Sequence, residues 1–312
     1  MDNVKVLCLG AEAYINQIDR IRAGLFELDT ETKNINEASH VYCNDPTTYF
    51  QALELQKQKN LKLIFNVLDI PYFLVDRQKY DISRYPRLEY GQNRNFNIEV
   101  LKEQLSRADT ITCICKDVQQ QLKEWCGLDA AVIYNPIKDV AFLNLTEDKK
   151  IVSKNKLPYK HLFIGRARDP NKRINLCYET LNFLGELNRL AVVGTENPGF
   201  GDYLGVLSDE QLNYLLNSVK YLWLPSAFKS IGLPALEAVV TKTIPIVCSD
   251  DPAGKEFFEE IELPPDSFQI ARSILDEDWN RRAKEFVDKT SKIYYNRFNK
   301  YQIARNILSL IT

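Results

Sequence analysis

Short apolar runs alternate along this chain with longer stretches whose apolar residues recur at helical spacing, and that alternation constrains the fold more than any other feature. Residues 4–9, 40–43 and 61–68 are compact apolar runs of the kind that form strands buried on both faces. Between the first two, Ile18, Ile21, Leu25 and Leu28 fall on one helical face. Asn44-Asp45-Pro46 is a turn and helix-start signal, and residues 49–58 continue as a helix. A β-α-β-α-β order predicts a doubly wound parallel sheet. After residues 69–97 the pattern resumes: helix 98–107, strand 110–115, helix 117–126 and strand 131–134, closed by Asn135-Pro136.

A second set of elements follows a polar stretch at 143–160 that reads as linker and surface. It has a strand at 161–165, a helix at 174–184, a strand at 190–193 and a glycine-rich loop at 195–207. Ser208 and Gln211 have capping-box spacing into a helix over 210–219. Strands at 221–224 and 245–248 flank one further helix, and the tail over 276–310 is helical. The expected organisation is therefore an acceptor-side Rossmann-like domain over 1–150, a donor-side Rossmann-like domain over 151–290, and a C-terminal helix over 291–312. With 312 residues, 45% of them hydrophobic, the chain can build two cores of ordinary size.

Composition excludes several function classes. A formal net charge of −2, spread evenly over both halves, gives no basic field for nucleic acid and only a weak signal for peripheral contact with anionic lipid. No run of about 20 apolar residues is present, and the first ten are too short for a secretory signal, so a cytoplasmic location is expected. Seven cysteines, an odd number, lie mostly in apolar runs and read as reduced core thiols. The two histidines, His40 and His161, are far apart and lack neighbouring cysteine ligands, so no metal site is expected.

Chemistry concentrates at Ser226–Glu237, SAFKSIGLPALE. The preceding run, YLWLP, is a strand ending at proline; Gly232 permits close backbone approach, and Pro234 suits the first position of a helix, where its missing N–H would have no partner. The amides of such a helix N-terminus attract phosphate, and Glu237 one turn in would accept from sugar hydroxyls. Phosphate and sugar together suggest a nucleotide sugar. A basic loop, Gly165-Arg166 with Lys172-Arg173, follows another strand at the sheet edge where doubly wound folds bind ligands. Each feature also has a plainer reading: a solvated basic loop, a turn glycine, a carboxylate satisfied by the helix dipole. Residues 69–97, rich in Tyr, Arg, Pro and Asn, are either an acceptor-contacting loop or plain surface.

These stretches resemble the retaining GT-B fold glycosyltransferases, in the group that includes mannosyltransferases, well over 98–300 and loosely before that. The resemblance implies two Rossmann-like domains facing a central cleft, with the last helices crossing back to the first domain. It implies transfer of a sugar from a nucleotide-diphosphate donor, UDP- or GDP-linked, with retention and without a metal or other cofactor. The acceptor, whether sugar, lipid or protein, is not specified. By the same resemblance Arg166 and Lys172 hold the diphosphate, with one extra residue between them relative to the family. Val206 and Leu207 line the nucleobase slot, and Ser230, Ile231, Gly232, Leu233 and Glu237 complete the donor site. Lys229 stands where the family carries the first of two glutamates and, with Arg166 and Lys172, is the catalytic candidate. On the acceptor side the candidates are Gly10 and Asp69; the family's histidine falls on Leu68, so no histidine role carries over. The alternatives are a sugar-nucleotide binding protein of little turnover and another GT-B enzyme, such as an epimerase or phosphorylase relative. A nicotinamide oxidoreductase is disfavoured because no strand is followed by GxGxxG.

Overall fold

The structure is a computed structural model that describes residues 4–9, 15–44, 46–70, 98–138, 158–227 and 232–312. These fall into two compact units. One holds the described residues up to Ile137 together with Arg297–Thr312, and the other runs from Lys138 to Asn296.

The first unit is built on a five-stranded, all-parallel sheet: β1 (Val6–Leu9), β2 (His40–Cys43), β3 (Lys62–Val67), β4 (Thr110–Cys113) and β5 (Ala131–Val132), laid side by side in chain order. The apolar runs form strands because every strand but the edges is sandwiched, and β3 is buried from Leu63 to Val67. The connecting helices are α1 (Ile15–Glu27), α2 (Pro46–Gln58), α3 (Ile98–Leu105) and α4 (Lys116–Gln121). α4 continues as a π-helical turn over Leu122–Cys126, and Gly127 ends it in the left-handed region at φ 68°. The last helix of the chain, α11 (Lys300–Leu308), belongs to this unit and lies on α1. The approach is close: a Cβ on Gly24 would stand 2.4 Å from the Lys300 carbonyl oxygen, so only glycine fits there.

The second unit contains β6 (His161–Ile164), α5 (Ile174–Leu184), β7 (Leu190–Val193), β8 (Asp202–Gly205), α6 (Asp209–Ser218), β9 (Tyr221–Trp223), α7 (Leu233–Val240) and β10 (Ile244–Ile246). α8 (Lys255–Phe258) and α9 (Ser267–Leu275) follow, and α10 runs over Glu277–Phe298. Its parallel sheet has the order β10-β9-β6-β7-β8. The chain therefore winds outward one way from β6 and the other way from β9, and the two directions part between these neighbours. Leu162, Val193 and Leu222 from the sheet pack with Leu212, Leu216 and Ala238 from α6 and α7 into a fully buried core. Ser208 accepts from the Gln211 N–H at 3.2 Å while the Gln211 side chain accepts from the Ser208 N–H at 2.9 Å, so both halves of the capping box form.

Three local readings change. β8 lies inside the segment read as a glycine-rich loop, because an edge strand between Gly201 and Gly205 leaves little apolar periodicity to detect. The helix after Gly232 starts at Leu233, so Pro234 is its second residue, still within the turn whose N–H groups have no intrahelical partner. The helical tail is two helices, interrupted at Asn299, whose side chain caps α11 by accepting from the Gln302 N–H at 2.9 Å. All seven cysteines are buried thiols, none of them in a disulfide.

Candidate functional site

The site assembles at the carboxyl ends of β6 and β9, where the winding of the second sheet reverses, the usual ligand crevice of a doubly wound fold. β6 delivers Gly165, whose N–H donates to the Val193 carbonyl at 3.0 Å. At the neighbouring end of β7, a Cβ on Gly194 would lie 2.1 Å from the Gly165 carbonyl oxygen. Two glycines therefore let the β6 and β7 termini close against each other.

From Gly165 the chain enters a 3₁₀ turn over Pro170–Lys172, capped by Asp169, which accepts from the Asn171 N–H at 3.0 Å. Asp169 also accepts from Arg166 Nη2 at 2.7 Å, so the turn holds the guanidinium while leaving 70% of that side chain exposed. The Lys172 stem runs back beside Gly165, 3.7 Å from where a Cβ there would be. Arg166 and Lys172 thus rise from one short loop. Arg173 is different. Held at φ 46°, it turns its guanidinium onto Asp250, donating to both carboxylate oxygens at 2.9 and 2.6 Å. It braces the loop against the segment after β10 rather than offering a free cation.

β9 leads through Pro225 to Ser226 and Ala227. The Ala227 N–H donates to the Asn171 carbonyl at 2.9 Å, which ties the two loops together. Ser226 is fully buried, and its hydroxyl has no hydrogen-bond partner among the described residues. Three expected site residues, Lys229, Ser230 and Ile231, lie outside the described residues. Description resumes at Gly232, left-handed at φ 59°, which opens α7. Its first amides are the anion-attracting end of an eight-residue helix. Glu237 is only 3% exposed, and its Oε1 accepts from the Lys138 backbone N–H at 3.2 Å. The Lys138 ammonium pairs in turn with Asp209 in the first turn of α6. The carboxylate is therefore anchored to the segment that enters this unit.

Of the remaining expected residues, Leu233 sits in the first turn of α7 beside Gly232. Val206 is 73% exposed just past β8, whereas Leu207 packs on the core with Leu212 and Leu215. Asp69 follows β3 in the first unit, where burial pushes its carboxyl up to about 6. Gly10 lies outside the described residues. Among the described residues there is no cluster of three metal-ligating side chains, and no helix is long and apolar enough to cross a membrane.

Solved structures share this architecture over nearly the whole chain. A sucrose-phosphate synthase from Thermosynechococcus elongatus superposes with a TM-score of 0.68 at 16% identity, covering 96% of this chain and 78% of that one. HepE from Anabaena, solved with UDP, gives a TM-score of 0.68 at 13% identity and covers 99% of both chains. A glycosyltransferase from Rickettsia africae gives 0.65 at 14% identity, covering 99% of this chain and 98% of its own. The chain has the GT-B fold. No family model matches the sequence. A curated relative, O-antigen chain mannosyltransferase B of Escherichia coli, is 33% identical over 92 residues, or 27% of this chain. The chain spans about a quarter of that relative's length, 24%.

Within this GT-B chain, the contacts that organise the site are ones a linear reading misses. Asn171 and Lys138 act through their backbone, Gly194 through the absence of a side chain, and Asp250 by taking Arg173 out of the cationic set. Only Gly194 left a signal, a glycine at a strand end.

Proposed function

We propose that the chain is a glycosyltransferase that moves a sugar from a nucleotide-diphosphate donor to an acceptor, with retention of configuration and without a metal. One observation carries this reading. The loop bearing Arg166 and Lys172 is tied through Asn171 and Ala227 to the segment that ends in the α7 N-terminus and Glu237, at the winding reversal of the sheet. Diphosphate-binding cations and a hydroxyl acceptor then belong to one connected frame. The crystallised HepE complexes with UDP and with UDP-glucose support a uridine donor.

Breaking the glycosidic bond leaves negative charge on the departing diphosphate. Arg166, Lys172 and the first amides of α7 would stabilise that charge, with no reorganisation at the moment of reaction. Glu237 would hold the donor ribose, Gly232 and Leu233 would bring backbone to the phosphates, and Val206 and Leu207 would border the base. Lys229 would add a third cation, and Asp69 would meet the acceptor. A cytoplasmic location goes with such a donor.

Lys229 in place of a glutamate also favours a second reading, a sugar-nucleotide binding protein of little turnover. Calorimetry with UDP, GDP, ADP and their sugars, followed by an assay of donor hydrolysis in the presence of EDTA, tests both. Arg166→Ala should weaken UDP binding by at least about tenfold, or 1.4 kcal/mol, and leave uridine binding unchanged. Equal loss of both ligands would remove the loop from the donor site. Saturable donor binding with no transfer or hydrolysis, restored by Lys229→Glu, would establish the second reading.

A further inference from the structure

The opposite, amino-terminal edge of the second sheet carries a feature that donor binding does not use. A cation stands just before each of four strands: Lys160 before β6, Arg189 before β7, Lys220 before β9 and Lys242 before β10. All four line one cavity of about 900 Å³, closed by the α9–α10 junction, which adds Arg281 and Lys284. Glu277 is the one carboxylate among its lining residues. The volume lies in the range of small-molecule sites and far exceeds what one inorganic phosphate fills.

The ion pairs show which cations are compensated. Glu186 takes Lys160 at 2.6 Å and Arg189 at 3.6 Å, and Arg281 is held between Asp278 and Glu285 on its own helix. Among the described residues, Lys220 and Lys284 have no carboxylate within ion-pair distance. Lys220 donates to the Asn280 side-chain oxygen at 2.8 Å, and its ammonium lies 4.8 Å from the Tyr221 ring. The Lys160 ammonium stands over the same ring at 5.9 Å. Burial and this second ammonium hold the Lys220 pKa below the usual lysine range. Glu186 offsets Lys160, but six cations against one carboxylate in the lining leave the cavity a positive surface that an external anion would compensate. Ile274 and Leu275, the latter 69% exposed, supply an apolar wall to the same cavity.

We propose that this cavity is a second anion site, distinct from the donor site, that takes a soluble phosphorylated molecule. Its phosphate would lie on Lys220 and Lys284 and its remainder along Ile274 and Leu275. A lipid headgroup offers the same phosphate chemistry, and the vesicle arm of the test below distinguishes the two sources.

The test uses inorganic pyrophosphate and the full chain carrying Arg166→Ala and Lys172→Ala, so that donor-site cations cannot contribute. Calorimetry should detect saturable binding to this double variant. Adding Lys220→Gln and Lys284→Gln should weaken it at least about tenfold with the melting transition retained. If Lys220→Gln does not fold, Lys284→Gln alone, at an exposed helical position, should still weaken binding measurably. Absence of binding to the double variant, or binding indifferent to Lys220 and Lys284, would overturn the proposal. So would Lys220-dependent flotation with vesicles of phosphatidylcholine and phosphatidylglycerol in equal parts, without pyrophosphate binding. UDP binding by the unsubstituted chain reports separately on the donor site, so failure of one reading leaves the other measurable.

Discussion

The Arg173 guanidinium lies fork to fork on the Asp250 carboxylate, 2.9 and 2.6 Å between donor and acceptor atoms, and this pair fixes the far end of the loop that presents Arg166 and Lys172. Both side chains are largely shielded, at 19% and 32% exposed, so the contact exceeds an ordinary surface ion pair. Arg173→Ala should cost about 1.5–3 kcal/mol of stability, as should Asp250→Ala. The double variant should lose far less than the sum of the two. Urea unfolding read as a double-mutant cycle checks this, and additive losses would show that the pair does not act as a unit.

Glu237 combines two jobs that substitution can separate. Its buried carboxylate receives the Lys138 backbone N–H. Glutamine keeps an acceptor for that bond but loses the charge, so Glu237→Gln should fold normally while binding UDP at least about tenfold more weakly. Alanine removes the acceptor and leaves a half-buried N–H without this bond, at a cost of about 1 kcal/mol. Calorimetry beside thermal melting separates the effects. Unchanged UDP affinity in a folded glutamine variant would take Glu237 out of the donor site.

Gly194→Ala probes the closure of β6 on β7. The added methyl would stand 2.1 Å from the Gly165 carbonyl oxygen, a backbone atom that cannot swing aside. Overpacking of this kind costs about 1–3 kcal/mol. Relief by movement of Gly165 should displace Arg166, so UDP binding should fall together with the urea midpoint. A variant of native stability and affinity would mean that the loop is free to shift at this point.

The elements of both sheets were legible because buried parallel strands must be short apolar runs, and residues 40–43, 61–68 and 190–193 leave no other reading. β8 was not, since Asp202-Tyr203-Leu204-Gly205 is a half-exposed edge strand with glycines on either side. At the site, Arg166, Lys172, Gly232 and Glu237 stand out by residue type and place. Their assembly does not. It depends on main-chain donors, the Ala227 N–H on the Asn171 carbonyl and the Lys138 N–H on the Glu237 carboxylate across 99 residues, and a main-chain N–H carries no mark of residue type. The same blindness made Arg173 look equivalent to Lys172, because only the fold brings Asp250 beside it.

Acid should expose the histidine of the second unit. His161 is fully buried at the start of β6, and the Trp223 indole N–H donates to its Nδ1 at 3.2 Å, leaving Nε2–H to donate to Glu186 at 2.8 Å. That arrangement selects the neutral ring. Burial lowers the His161 pKa more than Glu186 raises it, and the hydrogen bond from His161, with Lys160, holds Glu186 at about 2. Both folded pKa values lie below those of the unfolded chain, so the unfolded state binds more protons and stability falls as pH falls. The His161 contribution should be lost on acidification below about 6.5, and the Glu186 contribution between about 4.5 and 2. His161→Gln keeps a side-chain donor but cannot titrate. Its stability at neutral pH should be lower, since a flexible amide replaces a packed ring. Between pH about 6.5 and 5, however, its urea midpoint should decline less steeply than that of the unsubstituted chain. Parallel declines would mean that His161 takes up its proton in the folded state without penalty, contrary to the burial and the Trp223 hydrogen bond that hold it neutral.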